Sequence, residues 1–129
     1  MESVLFALLR RALYGPGEGD SCLEGLSTEQ WCEIYRMASY QGVLALAWDG
    51  LKNLPMDKGV KLNWAINVEK IEKKYRRQKG VLEELAELFS ENGMDMMIIK
   101  GYGLSLLYPV PEHRPCGDID FYLYGDYEK

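Results

Sequence analysis

The most constraining feature of this sequence is a helical pattern running from about Val60 to Asn92, close to a quarter of the 129 residues. Leu62, Ile66, Tyr75, Leu82, Leu85 and Phe89 predict one buried stripe along it, and Asn92-Gly93 supplies its stop. Gly80 in the middle is a mild breaker, so the stretch reads either as one long helix or as two helices meeting there. With this much chain committed to helix, only a small sheet can follow.

Upstream of the long helix the pattern stays helical. Val4, Leu5, Leu8, Leu9 and Ala12 repeat at helical spacing, and the run Gly15-Pro16-Gly17-Glu18-Gly19-Asp20 then breaks the chain. Ser27 followed by Gln30 predicts a capping box that opens a helix with Trp31, Ile34, Tyr35 and Ala38 on its inner face and Gly42 as its stop. A short helix from Val43 to about Leu54 ends before Pro55. Trp31, Trp48 and Trp64 sit among apolar neighbours and read as core.

After Gly93 the periodicity changes. Met94 to Ile99 reads as a buried strand, Gly101 to Tyr108 as a short helix stopped by Pro109 and Pro111, and Asp118 to Tyr124 as a second strand. The fold class expected is therefore α+β and mainly helical. A helical region, 1–92, is followed by a strand–helix–strand segment with a small sheet, 93–129.

Charge and cysteine usage exclude several function classes. Fifteen Lys and Arg against twenty Asp and Glu give a net charge of −5, which rules out a broadly basic coat for nucleic acid. The apolar run Val4–Leu9 precedes Arg10-Arg11 instead of following it and is short for a secretory signal. No window approaches the ~20 apolar residues of a membrane span. Cys22, Cys32 and Cys116 form no CxxC pair and suggest reduced thiols in a cytoplasmic protein.

The chemistry gathers near the end of the sequence. Asp118 and Asp120 are two apart on a predicted strand, so alternation puts both carboxylates on one face, with Ile119 and Phe121 on the other. Carboxylates held that close repel unless a cation lies between them, and paired oxygen ligands suit Mg²⁺ together with phosphate oxygens. Taken alone, the pair is a weak signal and reads first as a polar strand start with two solvated aspartates. Lys100-Gly101-Tyr102-Gly103 lies where the first strand gives way to helix, a place where glycines let backbone amides approach an anion; a plain tight turn has the same appearance. Tyr122 and Tyr124 share the face of the two aspartates and suit either a substrate pocket or packing against further chain.

Taken in order, Ile98-Ile99-Lys100-Gly101, Leu104, Leu107-Tyr108-Pro109, Arg114 and Asp118-Ile119-Asp120-Phe121 resemble the uncharacterised nucleotidyltransferase family of the DNA polymerase β-like superfamily, over about residues 94–125. The resemblance implies a Mg²⁺-dependent enzyme that moves a nucleoside monophosphate from an NTP to an acceptor hydroxyl. It implies that Asp118 and Asp120 are catalytic and ligate two Mg²⁺ ions. Gly101 and the nearby backbone, Gly103 included, would hold the nucleotide phosphates, with Lys100 and Arg114 as phosphate partners. The chain departs from the family pattern at two points. Gly101 is followed by Tyr102 instead of glycine or serine, and the third carboxylate of the superfamily belongs on a later strand, whereas Asp126 and Glu128 lie beyond Gly125. The segment thus reads as the first part of a catalytic domain. The alternative is a non-catalytic nucleotide-binding or protein-interaction domain on the same scaffold.

Three further features read more plainly. Lys70, Lys73, Lys74, Arg76, Arg77 and Lys79 are interspersed with Glu69 and Glu72 and read as a solvated helix face, so a nucleic-acid partner is not favoured. His113, the single histidine, falls in a proline-bracketed loop beside Arg114 and reads as a loop residue without a role. The terminal strand Phe121–Tyr124 suggests self-association through its edge.

Overall fold

Two glycine stops set the layout of the chain. At the end of α2 (Thr28–Tyr40), Gly42 takes φ 73°, and at the end of α4 (Lys58–Glu91), Gly93 takes φ 76°. In each case a pair of backbone bonds closes the helix. Val43 N–H reaches the Ala38 carbonyl at 2.9 Å and Gly42 N–H reaches Ser39, while Met94 N–H reaches Phe89 at 2.8 Å and Gly93 N–H reaches Ser90. This is the Schellman arrangement, and its left-handed residue favours glycine because it has no Cβ. The start of α2 is the expected capping box: Gln30 N–H donates to Ser27 Oγ at 3.2 Å, and Ser27 N–H to Gln30 Oε1 at 2.8 Å.

The computed structural model describes residues 1–99, 101–115 and 120–124. Besides α2 and α4, the elements are α1 (Glu2–Tyr14), a 3₁₀ turn (Glu18–Leu23), α3 (Leu44–Asp49), β1 (Asp95–Ile99), α5 (Gly101–Ser105), a second 3₁₀ turn (Pro111–His113) and β2 (Asp120–Tyr124). The chain is α+β and mainly helical. Among the described residues no helix is long and apolar enough to cross a membrane. Two predicted helices are shorter than the sequence suggested. The helix expected over 43–54 ends at Asp49 and that over 101–108 ends at Ser105, while the expected start of the second strand at Asp118 lies outside the described residues.

α4 runs unbroken through Gly80 for 34 residues, about 50 Å at 1.5 Å per residue. Its buried residues are Trp64, Val68, Tyr75 and Leu82. The stripe expected from the sequence is corrected at its first two members, since Leu62 is 62% exposed and Ile66 46% exposed. The reason is phase. At about 100° per residue, Ile66 stands about 180° from Tyr75 around the axis, whereas Trp64 and Val68 stand within about 20° of it. One face of the rod therefore packs along its whole length.

The core forms where α1, α2 and α3 close on the first half of that face. Leu8, Trp31, Ile34, Ala38, Ala45, Ala47, Trp64 and Val68 are buried together there. Arg11 ties the surrounding loops to α1, with Nη1 donating to Asp20 at 2.7 Å and Nη2 to the Lys52 carbonyl at 2.6 Å. α1 crosses the end of α3 so closely that a Cβ on Gly50 would lie 2.2 Å from the Leu8 carbonyl oxygen. Gly50 has an ordinary φ of −83°, so it is proximity and not backbone conformation that requires glycine. Gly50→Ala is expected to push α1 from α3 and cost about 1–3 kcal/mol, the usual range for overpacking, as a lowered urea midpoint.

β1 and β2 pair antiparallel, in the register Asp95↔Tyr124, Met96↔Leu123, Met97↔Tyr122, Ile98↔Phe121 and Ile99↔Asp120. Phe121 packs on Phe89 near the end of α4, with ring centres 5.7 Å apart, so one sheet face lies on the rod. On the other face Met97, Tyr122 and Tyr124 are about half exposed.

Candidate active site

The sheet register brings two separated motifs to one end of the molecule. Ile99, the last residue of β1, is the backbone partner of Asp120, the first described residue of β2. The chain leaves Ile99 directly into the glycine turn, so the turn and the aspartate strand begin side by side. Lys100 and Asp118, and with them the tail carrying Asp126 and Glu128, lie outside the described residues. Gly101 and Gly103 open the five-residue helix α5. A Cβ on Gly103 would meet nothing within 4 Å, so packing does not require glycine there and the space beside it is open. Arg114 follows the second 3₁₀ turn, half-buried, with Nη1 donating to the Pro115 carbonyl at 3.4 Å.

One turn of α4 holds both segments in place. Tyr75 is buried, shares a 2.8 Å hydrogen bond with the Ser105 hydroxyl and stacks on Tyr102 at 5.8 Å, which fixes α5 against the rod. Three residues before and one after, Glu72 and Arg76 reach the turn at 111–113. Arg76 Nη1 donates to Glu112 at 2.7 Å, and Glu72 Oε1 lies 2.7 Å from His113 Nε2. The other ring nitrogen of His113, Nδ1, lies 2.6 Å from Asp49 Oδ2 at the end of α3.

His113 is 5% exposed, so the loop residue expected from the sequence is instead a buried strut between three elements. A neutral imidazole carries one N–H, and two carboxylate acceptors require two. Burial acts to lower the pKa of the ring, but the hydrogen bonds and charges of Asp49 and Glu72 outweigh it, and the net direction is upward from the usual 6.5. The folded-state pKa thus exceeds the unfolded one. The strut's contribution to stability is full below about pH 6.5 and is lost as pH rises through the folded value.

Sequence reasoning missed this group because its members are 64 and 41 residues apart along the chain. A faint signal existed. Glu72 stands about 60° from Tyr75 on α4, at the edge of the buried stripe, where a carboxylate needs a partner. The basic run on the same helix is exposed, as a solvated face should be: Lys73 pairs with Glu69 at 3.3 Å, and Arg76 pairs with Glu112. Tyr122 and Tyr124 form a half-exposed aromatic shelf, ring centres 5.0 Å apart, on the strand that Asp120 begins.

The family whose sequence model matches residues 27–129 is described as uncharacterised nucleotidyltransferase. The chain belongs to that family. Comparison with curated proteins and with solved structures returns no match. The matched range takes in α2, α3 and α4 as well as both strands, so the family match includes the rod and extends well beyond the motif-bearing segment. Among the described residues no three His, Cys, Asp or Glu side chains gather as a metal site. The donors that the family pattern points to, Asp118 and Asp120, are hard oxygen ligands of the type Mg²⁺ accepts, which fits the ion chemically.

Proposed function

We propose that this nucleotidyltransferase-family chain binds an NTP with Mg²⁺ and takes part in transferring its nucleoside monophosphate to an acceptor hydroxyl. The observation that supports this reading most is the pairing of Ile99 with Asp120. It sets the glycine turn beside the aspartate strand in a chain of this family.

Asp118 and Asp120 are the residues that would hold Mg²⁺, two ions by analogy with the superfamily. When bound, Mg²⁺ supplies charge neutralisation on the α-phosphate and the leaving pyrophosphate and acidifies the acceptor hydroxyl. Gly101 and Gly103 let main-chain amides approach the phosphate oxygens without a Cβ in the way. Lys100 and Arg114 add positive charge beside the phosphates. In the reaction, the acceptor oxygen bonds to the α-phosphorus and the bond to the bridging oxygen breaks. Pyrophosphate leaves, and the hydroxyl proton passes to water.

Titration calorimetry with each of the four NTPs, in Mg²⁺ and again in EDTA, tests the binding half of this reading. Binding that requires Mg²⁺ is expected. Equal affinity in EDTA would remove the metal from the site, and no binding of any NTP would favour a protein-interaction role for the exposed sheet face.

A further inference from the structure

The strut at His113 joins α3, α4 and the turn at 111–113, and that turn also lies against α5. The second 3₁₀ turn, Pro111–His113, is the last helical element before β2, and only six residues (114–119) separate His113 from Asp120. The turn is held from below by His113 between Asp49 and Glu72, and from the side by the Arg76–Glu112 pair at 2.7 Å. α5, which carries Gly101 and Gly103, is held by Tyr75 against Ser105 and Tyr102. Glu72, Tyr75 and Arg76 thus form a single helical turn that holds both α5 and the turn at 111–113.

We propose that His113 is a positioning residue: as an imidazolium between Asp49 and Glu72 it locks the turn that precedes β2 in the chain, and so steadies β2 relative to Gly101. The proposal rests on the nucleotidyltransferase reading for its consequence, and on the strut alone for its mechanics. The ionisable groups on the elements packed around the ring are Asp49 on α3, Glu72, Tyr75 and Arg76 on α4, Glu112 and Arg114 in and beside the turn, and Tyr102 on α5. Asp49 and Glu72 touch the ring itself. Arg76 meets Glu72 at 3.8 Å and Glu112 at 2.7 Å, so it reinforces the turn while leaving the Glu72 oxygen nearer the ring to His113. Loss of the ring proton leaves one ring nitrogen facing a carboxylate acceptor with no hydrogen between them, and the lock loosens.

Because the chain holds one histidine, its ring resonances are unambiguous. On the full chain, ¹⁵N-resolved NMR of the ring should show two slowly exchanging N–H protons and a titration midpoint above 6.5. Amide exchange at 111–114 and 120–124, corrected for intrinsic rates, should quicken about tenfold or more as the ring deprotonates, while the amides of α2 stay protected. Glu72→Gln keeps an acceptor without the charge and should give an intermediate loss, with Glu72→Leu losing more. These variants leave the Trp64 core intact, so far-UV spectra report folding independently. Mg·ATP affinity, the functional readout, should fall with pH in step with the exchange in wild type and lose that dependence in Glu72→Leu. One ring N–H, or exchange at 120–124 unchanged across the titration, would overturn the lock. Loosened β2 amides with unchanged Mg·ATP affinity would overturn the positioning role. If wild type binds no NTP at all, the functional reading fails by itself, and the ring and exchange measurements still decide the lock.

Discussion

A chain carrying Asp118→Ala and Asp120→Ala together is expected to lose at least about 100-fold in Mg·NTP affinity while keeping its fold, since even changes one shell out from a metal cost up to that much. The two substitutions remove the acceptor oxygens of the proposed Mg²⁺ site and leave the glycine turn untouched. Stability should move little, because the core lies around Leu8, Trp31, Ile34 and Trp64, and because β2 is held to α4 through Phe121 on Phe89. In the absence of Mg²⁺ the double variant should melt at or slightly above the wild-type temperature, since two neighbouring carboxylates without a cation repel each other. Calorimetric titration of ATP in Mg²⁺ measures the affinity, and thermal melts with and without Mg²⁺ measure the second effect. Unchanged Mg·ATP affinity would remove the aspartates from the site. A large drop in melting temperature without Mg²⁺ would show that they serve the fold instead.

Local chemistry was the part of this molecule that the sequence disclosed. Ser27 with Gln30, Gly42 and Gly93 each act within six residues of chain, through backbone groups that must be satisfied at helix ends, and each sits where the pattern placed it. The strands were legible for a similar reason, since a short apolar run bounded by glycines is itself a local signal. Phase along α4 was harder to read. Leu62 and Ile66 are large and apolar yet face water, and only Trp64 and Val68 are in register with Tyr75 and Leu82. A folded surface is largely apolar in any case, so large side chains on the wrong face are poor guides unless the angles are added up.

The candidate site was half legible. The glycine turn and the aspartate strand were visible as motifs, but their adjacency follows from the pairing of Ile99 with Asp120, a register that no short-range pattern specifies. The His113 strut left only the faint mark of Glu72 at the edge of the stripe, because a buried ion cluster drawn from α3, α4 and a loop leaves no periodic trace. Tyr75 shows both aspects at once. Its place in the stripe was readable from spacing, whereas its hydroxyl bond to Ser105, 30 residues on, was not.

Trp64→Ala is expected to be the most destabilising single substitution in the helical part, at about 3–5 kcal/mol. Trp64 is 0% exposed, meets Tyr35 edge-on with ring centres 5.5 Å apart, and donates Nε1–H to the Leu44 carbonyl at 3.0 Å. It is the point where α4 meets α2 and α3 together, so the cavity left by alanine cannot be closed by moving one helix alone. The carbonyl of Leu44 would also lose a partner inside the core. Trp64→Phe separates the two contributions, since it retains much of the ring volume and removes the donor, and about 1 kcal/mol is expected from the lost hydrogen bond. Urea unfolding measures both. Native domains have a total stability of only about 5–15 kcal/mol, so the alanine variant should be partly unfolded under mild conditions. The consequence should reach the candidate site, because Trp64 and Tyr75 stand within about 20° of each other on one unbroken helix. A rod that is loose at Trp64 cannot hold Glu72 against His113 or Tyr75 against Ser105, so amide exchange at β2 should rise in Trp64→Ala and stay near wild type in Trp64→Phe. If β2 exchange were the same in both variants, the helical turns of α4 between Trp64 and Tyr75 would carry no load between core and site.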